Sequence, residues 1–168
     1  MKRGIIIQGS ARSRGDTYTA TQKLRALSNF DFIDLKDYQI GHFDYNFDNK
    51  EVDFLPLIRR LLTTYEIFIL ATPVYWYTMS GHMKVFLDRI SDLLILEKET
   101  GRLFRTKSMA VVSVSEEDNI EDTFYLPFIK SANYLGIQYL GSSHIFTKVT
   151  DKELLSRYRK MIPYIQDI

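Results

Sequence analysis

Three short apolar runs, "GIII" (Gly4 to Ile7), "IFILA" (Ile67 to Ala71) and "MAVVSV" (Met109 to Val114), constrain the fold of this chain more than any other feature. Each has the length of a strand, is almost free of polar residues and is bounded by turn or charged residues, which is how a strand buried on both faces reads. Two further segments, "FDFIDL" (Phe30 to Leu35) and "IQYLG" (Ile137 to Gly141), mix polar with apolar positions and suit the edges of a sheet. Between them lie segments whose apolar residues recur at three- and four-residue steps: Thr17 to Leu27, Phe54 to Thr64, Ser80 to Leu94, Glu121 to Leu135 and Lys152 to Ile165. Pro56 then belongs in the first turn of its helix. Five strands alternating with helices predict a parallel sheet covered on both faces, in the order 2-1-3-4-5. The aromatic stretch Lys36 to Asp53 reads as a long loop or a degraded helix.

At 168 residues the chain is one domain's worth, residues 1–168, and needs no covalent staple. A formal net charge of +1 supplies no basic field, so nucleic acid is not an expected partner. There is no cysteine, which removes disulfides, thiolate metal sites, iron–sulfur clusters and cysteine nucleophiles from consideration. Redox work would therefore have to come from a bound cofactor. "MKRGIIIQGS" reads as a first strand, and no apolar run approaches the ~18 residues of a membrane span, so a cytoplasmic protein is expected. His42 and His144 have no carboxylate or histidine at ligand spacing, and no metal site is expected.

In a sheet of this order, ligands bind beyond the carboxyl ends of the strands, where the connections from the first and third strands part. The first connection, "QGSARSRGDTYTA", leads straight into a helix, whose opening N–H groups and partial positive charge attract anions. Gly9 and Gly15 permit a tight path; Ser10, Ser13 and Thr17 bring hydroxyls; Arg12 and Arg14 bring charge. A phosphate group suits this loop. The glycines stand one residue too far apart for G-x-x-x-x-G-K-[ST], and G-x-G-x-x-G is absent, so neither Walker nor ordinary Rossmann binding is expected. The bland alternative is a polar loop with Asp16 as a plain N-cap. After the third strand, "ATPVYWYTMSGHMKVFLDR" puts Tyr75, Trp76 and Tyr77 where a short polar turn would be ordinary. Flat rings beside a phosphate cradle offer a surface to a planar ligand, unless they pack on the core or on another subunit.

"GSARSRGDT" followed by "ATPVYWYTMSGHMKVFLDR", with "TGRLFRTKSMAVVSV" further on, resembles the NADPH-dependent FMN reductase branch of the flavodoxin-like flavoproteins across essentially the whole chain. The resemblance implies a flavodoxin-like three-layer sandwich. It places Ser10, Arg12, Arg14, Gly15, Asp16 and Thr17 on an FMN phosphate loop, and Pro73, Val74, Tyr75, Trp76 and Tyr77 on the loop that meets the isoalloxazine ring. Asp16 departs from the family, which often has asparagine there; a carboxylate beside a phosphate costs energy, and Asp16 is expected to cap the helix instead. Ser113 and Ser115, near the acidic "SEEDN", are candidates for the flavin's polar edge.

The resemblance further implies an FMN-dependent NAD(P)H oxidoreductase passing electrons from NADPH or NADH to a quinone, azo, nitro or flavin acceptor, without a catalytic acid or base from the protein. FMN is expected rather than FAD, because no second glycine turn offers itself to an adenylate. A flavodoxin-type electron carrier is the alternative, disfavoured by the near-neutral charge, since such carriers are usually acidic. A member with a vestigial pocket is a third reading. Surface around Tyr77 and Phe86 suits a homodimer. His82, just past the aromatic loop, is more suited to capping or a subunit contact than to substrate, and the runs "EKETGR" and "SEEDNIED" read as solvated surface.

Overall fold

The computed structural model describes residues 2–50 and 52–162. Its sheet contains β1 (Gly4–Gln8), β2 (Asp31–Asp34), β3 (Ile67–Tyr75), β4 (Thr78–Met79), β5 (Ser108–Ser115) and β6 (Gln138–Phe146). Five run parallel in the order β2-β1-β3-β5-β6, and β4 turns back antiparallel on the end of β3. The apolar runs are thus the three central strands, with β2 and β6 at the edges as the mixed segments imply.

Alternate side chains of a strand enter opposite layers, so each central strand feeds two cores. On one face Ile6, Ile67, Ile69, Ala71, Ala110, Val112 and Val114 pack with Ala20 and Leu24 of α1 (Asp16–Ser28) and with Leu154, Tyr158 and Met161 of α7 (Asp151–Met161). On the other, Ile5, Ile7, Phe68, Leu70, Met109 and Val111 meet helices α2 (Phe54–Thr64), α3 (Gly81–Asp88), α4 (Ile90–Leu96) and α6 (Leu126–Leu135). Burying each such aliphatic side chain contributes about 1.5–3 kcal/mol before chain entropy is set against it. Tyr158 is wholly buried, and its hydroxyl is satisfied by donating to the Ala20 carbonyl at 2.8 Å.

Several boundaries differ from expectation for identifiable reasons. The helix expected over Ser80 to Leu94 divides at Arg89, whose side chain turns entirely inward, and a short α5 (Lys98–Arg102) follows. The Glu121 to Leu135 helix opens with a 3-10 turn at Asp122–Tyr125 before α6, whose first turn holds Pro127. β6 runs past Gly141 to Phe146 because a bulge absorbs Leu140: Met109 pairs with Tyr139 but Ala110 with Gly141, which takes φ 130°. The aromatic stretch after β2 is a 3-10 turn (Leu35–Asp37) followed by irregular chain. α7 ends at Met161, and positions 163–165 of the expected helix lie outside the described residues.

Candidate functional site

Three alternate carbonyls of the β1–α1 loop, those of Gly9, Ala11 and Ser13, are tied back to the protein. Ser80 Oγ donates to the Gly9 carbonyl at 2.6 Å, Lys36 Nζ to that of Ala11 at 2.9 Å, and Gln8 Nε2 to that of Ser13 at 3.1 Å. Gln8 is fully buried and fixed by Asp34 and Thr21. With those carbonyls spent, the N–H groups of Ser13, Arg14 and Gly15 have no acceptor among the described residues. Gly15 is the N-cap of α1 and supplies no side-chain cap, so the opening N–H groups of the helix also stay free. By contrast, Ser80 caps α3 and Thr150 caps α7. A run of free N–H groups at an uncapped helix start is an anion cradle. Asp16 does not cap, contrary to expectation. It is the first helical residue, exposed, and its carboxylate lies 3.4 Å from Arg12, which balances its charge beside the cradle.

Gly9 is where this loop passes closest to α3: a Cβ there would lie 3.0 Å from both the Cβ and the backbone N of Met83. Gly9→Ala is therefore expected to destabilise the fold by about 1–3 kcal/mol in urea denaturation, the usual penalty of overpacking. Gly81→Ala, where an added Cβ meets nothing within 4 Å, is the matched control and is expected to change stability by less than about 0.5 kcal/mol.

Beyond β3 the chain makes a two-residue hairpin, with Val74 opposite Met79 and Tyr75 opposite Thr78, so that Trp76 and Tyr77 form its tip. Both have positive φ, 47° and 63°, and are 93% and 89% exposed. The pair of left-handed residues marks a type I′ turn, which twists with the strands but ordinarily calls for Asn-Gly. Val74, Trp76 and Tyr77 wall a cavity of about 530 Å3, completed by Ser115, Asn119, Ile120, Glu121, Thr123 and Phe124. Since β3 lies between β1 and β5, cradle, hairpin and this wall all emerge at the carboxyl edge of adjacent strands.

Of the residues singled out from sequence, the cavity gathers Val74, Trp76, Tyr77 and Ser115, while Ser10, Arg12, Arg14, Gly15, Asp16 and Thr17 form the neighbouring loop. Ser10 and Thr17 are buried. Pro73 is a buried strand residue opposite Val114, and Tyr75 does not line the cavity. Ser113 is corrected: it is wholly buried and bonded to Tyr125 and His144, so its hydroxyl cannot reach a ligand. The "SEEDNIED" run is largely exposed, as a solvated surface should be, and it also has contacts. Asp118 pairs with Arg157, whose hydrogen bonds hold its carboxyl below the usual carboxylate range, and Asn119 to Glu121 line the cavity. His82 is exposed in the first turn of α3, does not cap it, and shares a separate cavity with Lys36 and His42. Gln8 and Ser80 escaped sequence reasoning; the one available signal was a glutamine ending an otherwise apolar strand.

Residues 2–143 match the family described as NADPH-dependent FMN reductase. Over 97 residues the chain is 37% identical to YwqN of Bacillus subtilis (strain 168), which carries the provisional name of an NAD(P)H-dependent FMN-containing oxidoreductase. That likeness takes in 53% of this chain and 52% of YwqN, so the chain spans about half the length of this curated relative. Among solved structures, the Trp repressor binding protein from Bacillus subtilis superposes with a TM-score of 0.73 at 21% identity, over 99% of this chain and 100% of its own. An NADPH-quinone reductase from P. pentosaceus gives 0.67 at 16% identity, over 99% of both chains. At these identities the structural likeness is one of fold.

Proposed function

The chain belongs to the NADPH-dependent FMN reductase family, and from that premise we propose that it is an FMN-dependent NAD(P)H oxidoreductase. The observation that carries the proposal is the uncapped start of α1, in a loop whose carbonyls are tied back, beside a cavity walled by exposed aromatic rings. These residues fit FMN. The N–H groups and hydroxyls of Ser10 to Thr17, with Arg12 and Arg14, would hold the phosphate, and Val74, Trp76, Tyr77 and Ser115 would meet the ring. The chemistry FMN would supply there is hydride acceptance from a nicotinamide and electron delivery to an acceptor.

The chain's own part is placement. Arg12 and Arg14 neutralise phosphate charge, the hairpin walls one side of the gap in which donor and acceptor take turns, and Asn119, Ile120, Glu121 and Thr123 close the other side. Quinone, azo, nitro and free-flavin compounds are the proposed acceptors, NADPH or NADH the proposed donor, and cytoplasmic residence is part of the proposal. No described helix is long and apolar enough to cross a membrane. Tyr77 projects far enough to suit a homodimer contact, whereas Phe86, expected beside it, is buried against Phe54 and offers no surface. An electron carrier is the competing reading, weakened by the net charge of +1.

Trp76 is the chain's single tryptophan, so adding FMN to the apoprotein is expected to quench its emission. Arg12→Ala with Thr17→Ala is expected to weaken FMN binding more than tenfold in that titration with the fold intact, because each charge-assisted bond contributes about 1.5–3 kcal/mol. Chromatography of the flavin released by denaturation, and stopped-flow bleaching by NADPH and NADH, test the whole reading. Release of FAD, or no FMN uptake, would overturn the cofactor; a flavin reduced only through a partner reductase would leave a carrier.

A further inference from the structure

The wall opposite the aromatic hairpin is strapped to the edge strand residue by residue. His144, buried on β6, has its Nε2 2.9 Å from the Glu117 carbonyl and 3.1 Å from Ser115 Oγ. Thr147 Oγ1 donates to the Glu116 carbonyl at 3.3 Å. Arg157 donates to both carboxylate oxygens of Asp118, at 2.8 and 2.6 Å, and to the His144 carbonyl at 2.8 Å. Each residue from Ser115 to Asp118 is therefore held from β6, from Thr147 just past its end, or from α7 behind it.

The directions of these bonds follow from the groups involved. A backbone carbonyl only accepts, so His144 Nε2 carries a proton whatever the charge of the ring. Ser115 donates its own proton to the Glu117 carbonyl at 2.6 Å. Toward Nε2–H, and toward the cavity that it lines, Ser115 Oγ is then an acceptor. On its far side His144 Nδ1 meets Ser113 Oγ at 2.9 Å, and Ser113 meets the Tyr125 hydroxyl at 2.6 Å. Burial pushes that phenol up to about 12, so it stays protonated and available to donate. Tyr125 to Ser113 to His144 to Glu117 is one directed chain, and it leaves no tautomer of the neutral ring free to choose.

We propose that His144 is a positioning residue for the cavity: it locks Ser115 as a hydrogen-bond acceptor facing the ligand, matched to an N–H donor on the edge of a planar ring. The proposal rests on the flavin reading, since the pyrimidine edge of isoalloxazine presents one N–H between two carbonyls. It assigns His144, which does not line the cavity, to ligand orientation, and it makes Ser115 an acceptor where a serine would ordinarily be counted as a donor.

The test uses the full chain with His144→Leu, His144→Gln and Ser115→Ala. FMN affinity is read from Trp76 quenching, the ring's surroundings from the visible spectrum of bound flavin, and the wall from hydrogen exchange of the ligand-free protein. His144→Leu is expected to weaken FMN binding about tenfold, the value of roughly one hydrogen bond, to shift the bound-flavin spectrum, and to raise exchange at residues 115–119. His144→Gln, whose amide N–H can replace Nε2–H, should recover most of the affinity. Ser115→Ala should weaken binding similarly and add little to His144→Leu. Equal impairment by Gln and Leu, or wild-type affinity and spectrum in a folded His144→Leu, overturns the proposal. Should His144→Leu fail to fold, unchanged affinity in Ser115→Ala overturns it instead. If wild type takes up no FMN, the flavin reading falls; unchanged exchange at 115–119 in His144→Leu separately removes the clamp.

Discussion

Replacing Arg89 with methionine is expected to destabilise the fold by about 3–5 kcal/mol in urea denaturation, a large part of the stability of any domain this size. The guanidinium is wholly buried and each of its three nitrogens donates a hydrogen bond. Nε donates to Asp92 at 2.7 Å, the two terminal nitrogens donate to the carbonyls of Gly41 and Asn49 at 2.9 Å each, and the group lies 5.2 Å over the Phe54 ring. Methionine fills much of the volume but leaves Asp92 as a buried carboxylate with no counter-charge, one of whose oxygens already lacks a partner. It also frees both ends of the Gly41 to Asn49 loop, so limited proteolysis should cut there first. Pairing Arg89→Met with Asp92→Leu removes both charges and should restore much of the loss, because a buried ion pair contributes little beyond what an apolar pair of similar size would. A single variant costing less than about 1 kcal/mol, with an uncut loop, would show that the pair is not the staple described here.

Trp76→Asn with Tyr77→Gly is expected to act in opposite directions on stability and on ligand binding. Left-handed backbone costs a side-chain-bearing residue about 1–2 kcal/mol, and both turn residues bear it. Their rings are almost fully exposed, so removing them sacrifices little packing. The double variant should gain about 2 kcal/mol and melt about 4–8 °C higher. FMN affinity should fall by about tenfold to a hundredfold, read from flavin absorbance or fluorescence because the tryptophan is gone; two stacking rings contribute about 1–3 kcal/mol together. An unchanged or lower melting temperature would mean the turn is not strained. Unchanged affinity would mean that the rings do not serve the flavin. Strain retained at an exposed tip is intelligible only if the rings have a use there.

The three central strands could be read from the chain because burial on both faces writes itself into four to six consecutive residues, and the two edge strands because they mix polar with apolar positions. The cradle was legible for the same kind of reason: glycines, hydroxyls and arginines are contiguous between a strand and a helix. Asp16 was misjudged as a cap because the capping position differs by one residue, and only the backbone at Gly15 decides it. Ser113 was misjudged because alternation along β5 gives its face but not its neighbours; Tyr125 and His144, 12 and 31 positions away, had already claimed its hydroxyl.

By itself, then, the sequence determined the α/β class, the sheet order, the loops at the carboxyl edge of the central strands and the family to which they point. These follow from patterns within a few residues, where strand and helix periods and turn chemistry operate. Tertiary structure alone decided that Gln8, Lys36 and Ser80 turn the cradle's carbonyls away, that Arg89 holds the aromatic loop, and that His144 grips the acidic wall. Such contacts join positions separated by as many as 71 residues, as between Ser80 and Gly9. A hydrogen bond depends on donor and acceptor meeting within about 3 Å, and no local periodicity encodes which distant groups the closed sheet brings to that distance.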